Sequence, residues 1–208
     1  MKESMIKAVI FDIGGVLVNL NMDRCLRAFK ERAGFEDIEE YLDMYHQRGF
    51  IKDLESGEST EEQFYASALS HCRPGTTAKT VAECFCEFLD GVNDEKIELI
   101  NRLKGHYDLY LLSNNNPISM RDIAELFKSL GIPFEETFKD LFISSEMKML
   151  KPSAEIYREV IRRTGLQPGE ILFIDDSMKN IDAALAQGIR AVFYDVDTSL
   201  SQLVESEL

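Results

Sequence analysis

Side chains able to handle a phosphoryl group stand just past short apolar runs. Asp12 follows Val9, Ile10 and Phe11, Ser113 and Asn114 follow Leu109–Leu112, Lys151 closes the segment from Glu146, and Asp175–Asp176 follow Ile171–Ile174. Each has an ordinary explanation alone, as a turn residue, a polar loop, a surface lysine or a helix cap. Together they bring three carboxylates to one place. Like charges raise one another's pKa and destabilise a fold unless a cation joins them. A magnesium ion with hard oxygen ligands satisfies that arrangement, as does a nearby lysine. A carboxylate that attacks phosphorus, a metal that neutralises its oxygens, and hydroxyl, amide and ammonium donors form a set suited to phosphoryl transfer.

The elements that must position these groups alternate between two textures. Continuous apolar runs at Ile6–Phe11, Leu109–Leu112, Leu141–Ile143, Ile171–Ile174 and Ala191–Tyr194 suit strands buried on both faces of a parallel sheet. Helical patterns at Ile118–Leu130, Ala154–Thr164 and Asn180–Gln187 end at Gly131, Gly165 and Gly188, where C-caps are expected. Strand and helix in repetition predict an α/β fold, a doubly wound parallel sheet of Rossmann-like type, whose ligands bind beyond the strand C-termini. Residues 20–97 differ. Met22, Leu26, Phe29 and Ala33, then Ile38, Tyr41, Leu42 and Tyr45, have helical spacing. "STEEQF" carries a capping box, and Phe64, Ala68, Leu69, Val81, Cys84, Phe85 and Phe88 continue the apolar stripes. An inserted α-helical domain is expected over 20–97, with 1–19 and 98–208 forming the α/β core. The glutamates at 36–40 and 55–62 read as its solvated faces.

The chain has 208 residues, 45% of them hydrophobic, and a net charge of −14. That charge disfavours nucleic acid and anionic membranes as partners, while a metal or lysine can reverse the field inside one cleft. No apolar stretch is long enough for a signal peptide or a membrane span, so a cytoplasmic location is expected. Cys25, Cys72, Cys84 and Cys86 match no zinc spacing and read as reduced thiols. Nothing in the sequence signals an oligomeric state.

The segments "FDIGGVLV", "LYLLSNNN", "KPSAEIY" and "FIDDSMKNI" resemble, in order, the motifs of the haloacid dehalogenase-like hydrolases. Most of that family are phosphatases with an aspartyl-phosphate intermediate, and its C1-type cap lies where the helical insert does here. The resemblance implies Asp12 as nucleophile and magnesium ligand, Ser113 and Asn114 as phosphoryl hydrogen-bond donors, and Lys151 as the neutralising ammonium. Lys148 is the alternative lysine, and the "KP" context favours Lys151. The resemblance further implies Asp176 and the Gly14 carbonyl as metal ligands. Asp175 would be an outer carboxylate, and Asn180 would orient a water or lie idle on the surface.

One position departs from the family pattern. Its phosphatases carry an acid/base aspartate two residues after the nucleophile, and this chain has Gly14. Such a group contributes about 10²–10⁴-fold in rate. Expected is a magnesium-dependent phosphatase for a small phosphorylated metabolite with a good leaving group, resembling sugar 1-phosphate phosphatases. A non-catalytic phosphate binder and a metal-independent dehalogenase are the alternatives. His46 is the one cap proton source nominated, and Tyr45, His46, Arg48 and Phe50 are the candidates for facing the substrate. Cap closure would hinge near Val18–Asn21 and Gly91–Asp94.

Overall fold

The computed structural model describes residues 5–43 and 47–208. In chain order it contains β1 (Ala8–Phe11), α1 (Met22–Ala28) with a π-helical continuation over Phe29–Ala33, a 3-10 turn at Ile38–Glu40, α2 (Gly49–Glu55), α3 (Glu61–His71), α4 (Ala78–Cys86), α5 (Asp94–Leu103), β2 (Asp108–Ser113), α6 (Pro117–Ser129), α7 (Phe134–Thr137), β3 (Asp140–Ile143), α8 (Ser144–Met147), α9 (Ala154–Thr164), β4 (Ile171–Asp175), α10 (Met178–Ala186), β5 (Arg190–Phe193) and α11 (Leu200–Glu207).

The strands form one parallel sheet in the order β3-β2-β1-β4-β5. β1 is central and pairs with β2 through Phe11↔Leu111 and with β4 through Phe11↔Ile174. Alternation along each strand builds two layers, because successive side chains point to opposite faces. Val9, Phe11, Leu109, Leu111, Leu172 and Ile174 share a core with Leu99 and Ile100 of α5, Phe127 of α6 and Val204 of α11. Ala8, Ile10, Tyr110, Leu112 and Phe173 pack on the other face against Ile156, Tyr157 and Val160 of α9 and Ile181 and Ala184 of α10. The three inner strands, β1, β2 and β4, are continuously apolar over their cores because both faces are covered, whereas β3 and β5 at the edges are partly open.

Helices α1–α4 enclose a core of their own, with Phe29, Phe35, Phe64, Val81 and Phe85 at its centre. Ile118 of α6 joins it. The capping box forms as expected: the Thr60 hydroxyl accepts from the Gln63 N–H, and the Gln63 side chain accepts from the Thr60 N–H. The helical texture expected over Ile38–Tyr45 shortens, among the described residues, to the turn at Ile38–Glu40. Tyr41 there packs against Phe35, Phe50 and His71, so aromatic contacts rather than a helix bury that stretch. The two chain crossings pair with each other: the Asn19 N–H donates to the Gly91 carbonyl, Asp90 N–H to Asn19, and Asn21 N–H to Phe88, at 2.7–2.8 Å. No helix among the described residues is long and apolar enough to cross a membrane.

Candidate active site

The four segments singled out in the sequence meet at the C-terminal edge of the sheet. They line a cavity of about 490 Å³ between the sheet and the helical insert. Asp12 comes directly after β1, and its N–H continues the ladder to Ile174. Its Oδ1 accepts from the Ile13 N–H at 2.7 Å and lies 2.9 Å from the Lys151 Nζ. Among the described residues no hydrogen bond reaches Oδ2. One carboxylate oxygen is therefore held by two donors while the other stays available.

Lys151 is almost wholly buried and is held on three sides. Its Nζ donates to Asp175 Oδ2 at 2.7 Å and to the Leu112 carbonyl at 3.0 Å, and it faces Asp12. The Asn114 side chain clasps the backbone of the same residue, since Lys151 N–H donates to its Oδ1 at 2.8 Å and its Nδ2 donates to the Lys151 carbonyl at 2.9 Å. That amide is thus engaged with the Lys151 segment. Ser113, the last residue of β2, is buried and lines the cavity, and among the described residues no hydrogen bond reaches its hydroxyl. Lys148, the alternative lysine, has no ion pair with these carboxylates; it ends α8 in a left-handed conformation.

Asp175 is completely buried, and each of its oxygens has donors. Oδ1 accepts from the Ser177 N–H at 2.8 Å and Oδ2 from Lys151, while the Asn180 Nδ2 reaches both at 2.9 and 3.0 Å. Asn180 lies in the first turn of α10, with its carbonyl receiving the Tyr157 hydroxyl at 3.0 Å. Asp176 lines the cavity. Asp12, Asp175 and Asp176 each offer an oxygen, and these lie within 4.8 Å of one another. An all-carboxylate donor set of this size fits a small hard dication such as magnesium.

The electrostatics express the same crowding. Burial pushes the Asp12 carboxyl up to about 7, with Lys151 opposing the rise and Asp175 adding to it. Burial and then the Asp175 charge raise Asp176 to about 6. Burial works against the Lys151 ammonium, but Asp12 and Asp175 outweigh it and hold its pKa above the ordinary lysine value.

Both glycines after Asp12 have structural reasons. Gly15 has φ +77°, and a Cβ there would lie 2.2 Å from Asp176 Oδ2. A Cβ on Gly14 would stand 3.1 Å from Leu20 Cδ1, so that leucine abuts the space a side chain would enter.

A model of the haloacid dehalogenase-like hydrolases matches residues 6–188. The chain belongs to the haloacid dehalogenase-like hydrolases. It is 33% identical over 178 residues to the D-ribitol-5-phosphate phosphatase of Bacteroides thetaiotaomicron, covering 85% of this chain and 86% of that protein. A HAD-family enzyme of the same bacterium, solved in complex with magnesium and inorganic phosphate, superposes with a TM-score of 0.88 at 32% identity, over 95% of this chain and 98% of that one. A predicted HAD-like family hydrolase from Porphyromonas gingivalis gives 0.88 at 33% identity, covering 98% of each chain.

In this HAD hydrolase two of the four residues expected to face the substrate lie away from the cavity. Tyr45 and His46 fall outside the described residues. Arg48 is exposed, and Phe50 packs against Tyr41 and Phe64; neither lines the cavity. Leu42, Gln47, Glu55, Phe85, Phe88 and Leu89 do. Glu55 was expected on a solvated face and instead borders the site. It ends a short helix whose buried residues are Ile51 and Leu54, a spacing too brief to orient a third side chain from sequence. Ser144, fully buried after β3, was missed as well. Its hydroxyl donates to the Glu55 carbonyl at 2.6 Å and accepts from the Asn115 N–H at 2.9 Å, and an isolated serine gives no pattern to find.

Proposed function

We propose that this chain is a magnesium-dependent phosphomonoesterase that hydrolyses a small phosphorylated sugar or sugar alcohol through an aspartyl-phosphate on Asp12. The observation that carries the reading is Asp12 itself: Oδ1 is fixed by Ile13 and Lys151, and Oδ2, which no hydrogen bond reaches among the described residues, stands beside a carboxylate cluster. Oδ2 attacks phosphorus, the bond to the ester oxygen breaks, and the leaving oxygen takes its proton from a water molecule in the cleft. Water then cleaves the acyl phosphate and restores Asp12, releasing inorganic phosphate.

Asp12, Asp176 and the Gly14 carbonyl would hold magnesium, which supplies charge neutralisation at the phosphoryl oxygens when bound. Lys151 and the Ser113 hydroxyl would donate to those oxygens. Asn114 would contribute its backbone N–H, because its side chain positions Lys151. Asp175 and Asn180 would keep Lys151 aligned. The relative named for D-ribitol 5-phosphate supports a sugar alcohol phosphate. That ester has a primary alkoxide leaving group, which needs a proton, and Gly14 has no side chain to give one.

The test is phosphate release from sugar 1-phosphates, alditol phosphates and simple alkyl phosphates, with and without magnesium. Wild type should release phosphate only with magnesium. Asp12→Asn should lose at least about 10³-fold while keeping its melting temperature. Gly14→Asp should raise the rate on alkyl phosphates by up to about 10²-fold relative to sugar 1-phosphates. Activity surviving in Asp12→Asn would overturn the nucleophile assignment. Magnesium and phosphate binding without turnover would establish the non-catalytic alternative.

A further inference from the structure

The cavity has two chemically unlike parts. The sheet edge supplies Asp12, Ser113, Asn114, Lys151 and Asp176, the end suited to a phosphate. The facing surface is apolar, from Leu20, Leu42, Phe85, Phe88 and Leu89, and is interrupted by Glu55 with Gln47. An apolar roof requires no carboxylate for packing. Glu55 needs another explanation.

Its position is fixed from behind. The Glu55 carbonyl accepts from Ser144 Oγ at 2.6 Å, and Ser144 follows β3 directly. Two residues on, Gly57 has φ +70° and approaches so closely that a Cβ would lie 2.2 Å from the Ser145 carbonyl. The end of α2 is thereby seated on α8. β3 is separated from β1 by β2 alone, so the seat lies roughly 10 Å along the sheet from the Asp12 strand. That span suits the alcohol portion of a short phosphorylated polyol.

The Glu55 carboxyl has no hydrogen bond or ion pair among the described residues. Burial pushes it up to about 8 and so favours the uncharged acid, which both donates and accepts. A hydroxyl has the same dual capacity and completes such a group without bringing a charge into the cleft. A second phosphate or a carboxylate would meet two further carboxylates, Asp12 and Asp176, in the same cavity.

We infer that Glu55 is a specificity residue: it exchanges hydrogen bonds with a hydroxyl of the substrate's alcohol portion, at the cavity end remote from Asp12, and so selects singly phosphorylated polyhydroxylated esters. This rests on the phosphatase reading above and adds a residue and a substrate feature to it.

The experiment compares wild type, Glu55→Gln and Glu55→Ala on D-ribitol 5-phosphate, a deoxy analogue lacking the terminal hydroxyl, phosphoethanolamine and p-nitrophenyl phosphate. Glu55→Ala should lower kcat/KM on ribitol phosphate about 10- to 100-fold more than on p-nitrophenyl phosphate, chiefly through KM. The deoxy analogue should show little of that difference, and Glu55→Gln should restore most of it, because an amide also donates and accepts. Equal losses on every substrate, or failure of Glu55→Gln to restore, would assign Glu55 a structural role and overturn the inference. A selective loss on phosphoethanolamine would make it an ammonium site, which also overturns it. Calorimetric titration of ribitol phosphate with magnesium separates the two readings. Weaker binding to Glu55→Ala without wild-type turnover keeps Glu55 and removes the phosphatase; equal binding removes Glu55.

Discussion

At the scale of single residues, the site depends on close approach. Gly15 combines a left-handed backbone with a neighbour that a methyl group would strike, since Asp176 Oδ2 occupies the place of a Cβ. Gly15→Ala should therefore do two things. It should cost about 1–3 kcal/mol for the backbone, and it should displace a carboxylate of the cluster. Magnesium affinity is expected to fall at least about tenfold, the scale on which disturbed ligand orientation acts, alongside a lower melting temperature. Gly105→Ala is the control, with φ +88° and open space around it. It should destabilise comparably and leave magnesium titration unchanged; equal effects on magnesium in both variants would refute the contact argument.

At the scale of elements, the inner strands were legible because burial on both faces leaves β1, β2 and β4 continuous apolar runs, and the chemistry-bearing residues interrupt those runs at their ends. Asp12, Ser113 and Asp175 could be placed by that punctuation alone. The partnership of Asn114 with the Lys151 backbone could not, because it joins residues from different loops through a main chain that carries no side-chain signature. Nor could the roof be read: α2 is 7 residues long, too short for a periodic pattern to fix which side chain faces the cleft. The paired crossing between insert and sheet is another long-range feature. Asn19 receives Lys96 Nζ at 2.9 Å and donates to Asn93 Oδ1 at 2.7 Å, so this ribbon is tied to the start of α5. If the insert opens and closes here, amide exchange at Asn19, Asn21 and Asp90 should slow when magnesium and a phosphate analogue bind, while β1 and β4 stay protected throughout. Identical exchange in both states would count against hinging at this ribbon.

For the whole molecule, the balance of charge sets how stability responds to pH. Asp12 at about 7 and Asp176 at about 6 both lie above the ordinary carboxylate value of 3.8, and Glu55 is raised likewise. A raised pKa means the fold prefers the protonated group. The associated stability is present below the unfolded value and is lost as pH rises through the folded one. The metal-free protein should therefore melt at progressively lower temperature as pH climbs from about 5 to about 8. Magnesium binds the deprotonated cluster, so its stabilising shift should grow over the same interval and shrink sharply in Asp176→Asn. A magnesium shift independent of pH would contradict the proposed seating of the ion among these carboxylates.

The strand order also dictates a sequence of events at the ribosome. β1 is made first and sits at the centre of the sheet, yet its neighbours begin at Asp108 and Ile171. At about 5–20 residues per second, the first strand waits several seconds for either partner. Helices α1–α4, whose contacts are nearer in sequence, can gather their own core in that interval. The nascent chain thus exposes Val9, Ile10 and Phe11 for most of its synthesis, and the catalytic edge comes into being only when β4 docks beside them. Truncations ending just before Ile171 would carry the whole insert and an unfinished sheet, the state in which this molecule is most open to aggregation and to chaperone capture.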